Sequence, residues 1–146
     1  MLVAEVYGLF GVKTAFGLTP VVVLRTEDGR VLPIYIGHAE AFSIYSALRG
    51  FVPPRPMTHD LLVDIIGKLN AKIEKVIIDD LIDNTFYARL ILSQNDKTIE
   101  IDARPSDSIA IAIRTACPIF VEEEVMDEAG EDEIPKEFVD FGESFE

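Results

Sequence analysis

Apolar and polar positions fall into short segments whose patterning changes along the chain. Ile99 and Ile101 alternate with Glu100 and Asp102, the pattern of a half-buried strand. Strands are expected at Leu2–Tyr7, Pro20–Thr26, Arg30–Ile36, Lys72–Ile82, Thr85–Ser93, Lys97–Asp102 and, last, Pro118–Glu122. Turns at Glu27-Asp28-Gly29, Asp83-Asn84 and Gln94-Asn95-Asp96 join neighbouring strands. Helical spacing predicts a helix from Gly37 to about Arg49, with Ala41, Ile44, Tyr45 and Leu48 on one side. A second helix is expected over Thr58–Asn70, with an apolar face of Leu61, Leu62, Ile65, Ile66 and Leu69. A third is expected over Ser106–Ala116, carrying Ile109, Ala112, Ile113 and Ala116. The prolines of Val52–Pro56 hold the preceding residues extended, so that segment is a connector.

The order is β-β-β-α-α-β-β-β-α-β. Hairpins dominate, which predicts a mixed, mostly antiparallel sheet with three helices in a two-layer α+β domain. Each half places strands before an Arg-Pro-led helix, which suggests an internal duplication. The domain proper is expected over 1–122 and a C-terminal extension over 123–146. In the extension, 123–134 reads as a polar linker. Ile134, Phe138, Phe141 and Phe145 then recur as the stripe of a short amphipathic helix, weakened at Gly142. Three phenylalanines favour docking of that helix on the domain.

Charge changes the picture most. The net charge is −13, but residues 122–146 hold 12 acids against Lys136 alone. Residues 1–121 hold 14 acids and 12 bases and are nearly neutral. No basic run exists of the kind that drives tight non-specific nucleic-acid binding. Action on nucleic acid is therefore expected to involve weak, local or metal-assisted binding. No apolar run approaches a membrane span and no signal peptide is evident, so no membrane association and a cytoplasmic location are expected. A single cysteine, Cys117, forbids an internal disulfide and a multi-cysteine zinc site.

Candidate chemistry gathers at two helix entrances. Asp102, Arg104, Ser106 and Asp107 are delivered by a strand to the start of the third helix, with Pro105 suited to a first helical position. Arg55-Pro56-Met57-Thr58-His59-Asp60 repeats that grammar at the second helix, with Thr58 as a plausible N-cap. Capping alone accounts for the hydroxyls and acids, but not for an arginine before each proline. Two arginines beside two helix N-termini make an anion site. His59 can exchange a proton near neutral pH. Aspartates with one histidine are a ligand set for magnesium or manganese. Glu40 and His38 open the first helix and rank second. Asp79, Asp80 and Asp83 read as solvated turn residues. Phe86 and Tyr87 point to opposite strand faces.

The blocks Arg55-Pro56-Met57-Thr58-His59-Asp60-Leu61-Leu62, Asp83-Asn84-Thr85-Phe86-Tyr87-Ala88 and Ile101-Asp102-Ala103-Arg104-Pro105-Ser106-Asp107 closely resemble the bifunctional nuclease family. Leu32-Pro33-Ile34-Tyr35-Ile36-Gly37, Glu40-Ala41 and Pro118-Ile119-Phe120-Val121 match it too, so the resemblance spans roughly 2–121. It implies an α+β domain with DNase and RNase activity in some members. The expectation is a small metal-assisted phosphodiesterase. Asp60, Asp102 and Asp107 would hold or assist a divalent magnesium or manganese ion. His59 would move a proton, and Arg55, Arg104, Thr58 and Ser106 would bind phosphate. The carboxylates of Asp60 and Asp107 are then expected ~4–6 Å apart. The alternative is a non-enzymatic module whose Arg/Asp cluster is structural or binds a small anionic ligand. Sheet edges and an exposed aromatic suggest a homo-oligomer, most simply a two-fold dimer.

Overall fold

A computed structural model describes residues 1–144. The strands are β1 (Leu2–Thr14), β2 (Gly17–Thr26), β3 (Val31–Tyr35), β4 (Lys72–Ile82), β5 (Thr85–Gln94), β6 (Lys97–Ala103), β7 (Ile119–Val121) and β8 (Val139–Asp140). The helices are α1 (His38–Leu48), α2 (Thr58–Lys68), α3 (Pro105–Thr115), α4 (Glu123–Ala129) and α5 (Phe141–Ser144). All eight strands form one sheet, ordered β3-β2-β1-β7-β4-β5-β6, with β8 beside β1. Two antiparallel meanders, β1-β2-β3 and β4-β5-β6, thus flank β7. The β4–β7 pair is parallel. This is the α+β fold that the hairpin pattern predicts. Asp83-Asn84 and Asn95-Asp96 all take positive φ, as tight hairpin turns require.

α1, α2 and α3 cover one sheet face. Val22, Leu24, Leu32, Ile44, Val76, Ile78, Leu90, Ile109 and Val121 belong to the core between them. The run Val21-Val22-Val23-Leu24 is fully buried. Strand residues alternate between faces, so a continuous apolar run signals cover on both sides. Val22 and Leu24 face the helices, while Val12, Val21, Val23 and Val31 form a second cluster with Phe10, Ile134 and Phe138.

That second cluster corrects the reading of the C-terminal extension. The expected polar linker contains helix α4, which buries Val125 and Met126. Gly130 closes it, and a Cβ there would stand 2.5 Å from the Met126 carbonyl oxygen. The expected amphipathic helix does not form as one stripe. Ile134 and Phe138 pack on the β1–β2 valines, whereas Phe141 joins the main core beside Phe42 and Tyr45. One straight helix cannot serve two separate clusters, and Pro135 obstructs it further. Val139-Asp140 instead pairs with Phe10-Gly11 of β1, beyond the three residues that β7 covers. Phe145, the last of the expected stripe, lies outside the described residues.

A second correction concerns α2. Only His59 of this helix is fully buried, with Val63 and Ile66 packed against the core. Leu61, Leu62, Ile65 and Leu69, expected inside, face outward. Phe86 packs against the core and Tyr87 is exposed, as the alternation requires.

Candidate functional site

The β3–α1 and β6–α3 junctions bring two helix entrances to one cleft. Gly37 is the N-cap of α1 and Arg104 the N-cap of α3, both with extended backbone. With the start of β5 they enclose about 520 Å³, lined by Gly37, Glu40, Asn84, Phe86, Arg104 and Ser106 among others. The first-turn amides of both helices lack intrahelical acceptors. A Cβ on Gly37 would lie 2.6 Å from Glu40 Oε2, so the glycine lets Glu40 fold back over its helix start. Arg104 donates from Nη1 to Glu40 Oε1 (3.0 Å) and from Nε to Asp107 Oδ2 (2.9 Å). Its side chain remains two-thirds exposed, so this cation also faces solvent.

Behind Arg104 a chain of polar contacts runs into the helix layer. Asp107 Oδ1 lies 2.8 Å from His59 Nε2, and His59 Nδ1 lies 2.6 Å from Ser43 Oγ. An ionised carboxylate only accepts, so Nε2 carries a proton. In the neutral ring Nδ1 then accepts from the Ser43 hydroxyl. Burial pushes the Asp107 carboxyl up, but hydrogen bonds from Arg104 and His59 outweigh it and leave the group below its usual range. His59 is buried with both ring nitrogens engaged, so it braces Asp107 from behind the cleft.

Asp60 stands on another branch. It accepts from the Met57 amide at 2.9 Å and from Arg114 Nε at 2.7 Å. Arg114 also donates to the carbonyls of Ala110 and Ser43, so one guanidinium ties α1, α2 and α3 together. Arg114, and next the Met57 amide, hold the Asp60 carboxyl below its usual range. Asp60 and Arg114 line a different cavity, of about 610 Å³, walled by Phe51, Val52, Pro53 and Val63.

Several expected residues are placed differently. Thr58 is the first residue of α2, not its cap; Met57 is the N-cap, and Asp60 accepts its amide proton. Pro56 precedes that cap while Pro105 sits inside α3, so the two Arg-Pro motifs are offset. Arg55 is exposed in the connector and forms no ion pair among the described residues, so the two-arginine anion site is not assembled. Asp102 pairs in register with Arg89 and lines a pocket with Asp79, Asp80 and Glu100, away from the cleft. Among the described residues no three His, Cys, Asp or Glu side chains are grouped to hold a metal ion. Asp60 and Asp107 are each bound by their own arginine, and Asp102 lies apart. These three therefore do not fit the expected shared magnesium or manganese ion.

Ser43 and Arg114 escape sequence reading, being 16 and 54 residues from the side chains they meet. The signal for Arg114 is a cation that follows the apolar run Ile109–Ile113, a place where a part-buried charge needs an acid within reach. Glu40 ranks second in sequence and first in the cleft, because Arg104 selects it.

The blocks Ile34–Gly37, Asn84–Phe86 and Arg104–Ser106 meet around this cleft. A family model described as the bifunctional nuclease domain matches residues 22–133. An uncharacterized protein of Mycobacterium tuberculosis strain H37Rv is 50% identical over 112 residues, covering 76% of this chain and 66% of that protein. Bifunctional nuclease 2 of Oryza sativa subsp. japonica is 33% identical over 107 residues, covering 70% of this chain and 33% of the plant protein. Bifunctional nuclease 1 of the same rice is 31% identical over 105 residues, covering 68% and 32%. The chain thus spans just under two thirds of the mycobacterial protein and about a third of the plant ones. By the extent of the family match and the convergence of its blocks on one cleft, this chain belongs to the bifunctional nuclease domain family.

Proposed function

We propose that this domain hydrolyses phosphodiester bonds of nucleic acid in the cleft between the α1 and α3 entrances. The observation that carries the reading is the meeting of two helix N-termini, the outward-facing Arg104 and the Glu40 carboxylate in one place. Helix N-termini and a guanidinium favour a phosphate. A phosphate that takes Arg104 frees Glu40 to accept a proton from an attacking water. Asp107 and His59 act as positioning residues that fix the guanidinium. Ser106, buried in the first turn of α3, offers a hydroxyl at the cleft wall.

The test is hydrolysis of single- and double-stranded DNA and RNA by the pure protein, with and without a chelator. Arg104→Ala and Glu40→Gln are each expected to lower the rate about a hundredfold or more, within the usual range for positioned acid–base and electrostatic groups. Wild-type rates in both variants overturn the assignment. The chelator arm decides whether a magnesium or manganese ion arriving with the substrate takes part.

A second reading is favoured by the closed network itself. Arg104–Asp107–His59–Ser43 and Arg114–Asp60 can join three helices without any chemistry. On this reading the cleft binds a small anion and turns nothing over. Calorimetric binding of a mononucleotide, abolished by Arg104→Ala and without hydrolysis, is its expected signature.

A further inference from the structure

We infer that a second copy of this chain docks along the α2–β6 edge, related by a two-fold axis. Leu61, Leu62, Ile65 and Leu69 of α2 and Ile99 and Ile101 of β6 are between 36% and 62% exposed. The contacts at the two ends of α2 set it on the β6 side of α3, pointing opposite to β6, and on this arrangement the six residues are neighbours. At one end, Gln94 Nε2, in the last residue of β5 and paired with Lys97 at the start of β6, donates to the Leu69 carbonyl at 2.6 Å. At the other, His59 meets Asp107, just after β6, at 2.8 Å. Ile99 and Ile101 pair with Leu92 and Leu90, whose side chains belong to the core under the helices. Both isoleucines therefore lie on the helix-bearing face, next to the outward leucines of α2.

The sheet's two edges are not equivalent. At β3, the Val31 amide and carbonyl are both bonded to Glu131, at 2.8 Å each. At β6, the strand is the last in the sheet and leaves backbone groups unpaired among the described residues. A sheet open along one edge is extended most simply by a like edge, and that pairing is isologous. The helix is self-complementary in the same sense. Two antiparallel α2 helices centred on Ile65 set Leu61 opposite Leu69 of the second copy. Asp64 of each then lies within side-chain reach of Lys68 of the other, at a rise of ~1.5 Å per residue. Within one chain these two residues already pair at 2.8 Å, so the exchange needs no new charge. The described part of the acidic extension does not obstruct the edge, since α4 packs on β3 and β4, Glu131 pairs with Val31, β8 pairs with β1, and Phe141 packs on Tyr45 of α1.

Sedimentation equilibrium of the full chain at micromolar concentration is expected to give twice 16.2 kDa. Ile65→Glu is expected to give a monomer with unchanged circular dichroism. Phe16→Glu, in the exposed β1–β2 turn, is expected to leave the dimer intact. Asp64→Lys is expected to weaken association about tenfold, and Asp64→Lys with Lys68→Asp to restore it. A monomeric wild type overturns the inference, and so does an Ile65→Glu protein that still dimerises. A double charge variant as weak as the single one overturns the pairing of α2 with α2.

Discussion

Arg114 joins three helices through one guanidinium. Its side chain is 12% exposed and reaches Asp60, Ala110 and Ser43. Removing it leaves the Asp60 carboxylate with the Met57 amide as its remaining donor and takes the guanidinium link from two helix carbonyls. Arg114→Ala is expected to lower unfolding stability by about 2–4 kcal/mol in urea titration. Arg114→Lys should recover only part, because one ammonium cannot reproduce the guanidinium fork. The same residue sets a pH response. Asp60 and Asp107 both hold their carboxyls below the usual range, and Thr26, then Arg30, lower Asp28 to about 2. A depressed folded value means the unfolded chain binds these protons more tightly. Stability from the three is thus complete above the unfolded value of about 3.9 and is lost as pH falls through the folded values. Acid titration of stability should show wild type weakening below about pH 4. Asp60→Asn should start less stable at neutral pH and fall less steeply. An identical slope in the two proteins would show that Asp60 contributes nothing to the acid transition.

At the scale of elements, the C-terminal segment is part of the fold. Its apolar side chains complete two clusters on opposite faces of the sheet, one at Val12, Val21, Val23 and Val31 and one at Tyr45. Phe141 is 3% exposed, and truncating a buried phenylalanine costs about 3–5 kcal/mol. Phe141→Ala is therefore expected to lower the melting temperature clearly in calorimetry. Deleting residues 134–146 should lower it further and raise binding of a hydrophobic dye, since the valines of β2 and β3 are uncovered. A truncated chain that melts like wild type would contradict the two-faced packing. α2 is the opposite case: it is anchored by His59, Val63 and Ile66, and its leucines stay exposed.

For the whole molecule, charge limits how nucleic acid can be held. The acids outnumber the bases by 13, and many arginines are already in ion pairs with acids. On the proposed function, a phosphate at the cleft would meet Arg104 and helix amides, and amides release no counterions. The log of the binding constant should therefore fall with log salt at a slope of about −1, one phosphate's worth. A slope several times steeper, measured by fluorescence anisotropy, would mean that a basic surface elsewhere holds the strand.

Local physics made much of this chain legible from its residues. Period-two alternation and the Asp83-Asn84 and Asn95-Asp96 turns suffice for the β4-β5-β6 meander, because neighbouring strands pair through short connections, whereas the expected first strand, Leu2–Tyr7, runs on to Thr14 because its second half pairs with β2. Pro105 and Asp107 mark the α3 entrance, and the motif blocks around Arg104 mark the family. The reading failed where a residue's partner is remote in sequence. Nothing near His59 announces Ser43 or Asp107, and nothing near Asp60 announces Arg114 in place of Arg55. The phenylalanine spacing of the extension suits a helix, yet two separate apolar clusters competed for those side chains and won. The aspartates of one sequence cluster were parted by the sheet itself: Asp102 is on a strand face and Asp107 on a helix behind the cleft. Sequence alone determined which elements form and where the polar groups enter them. Tertiary structure decided which charges meet and which apolar faces stay open, because pairing and burial depend on distances that only the folded chain sets.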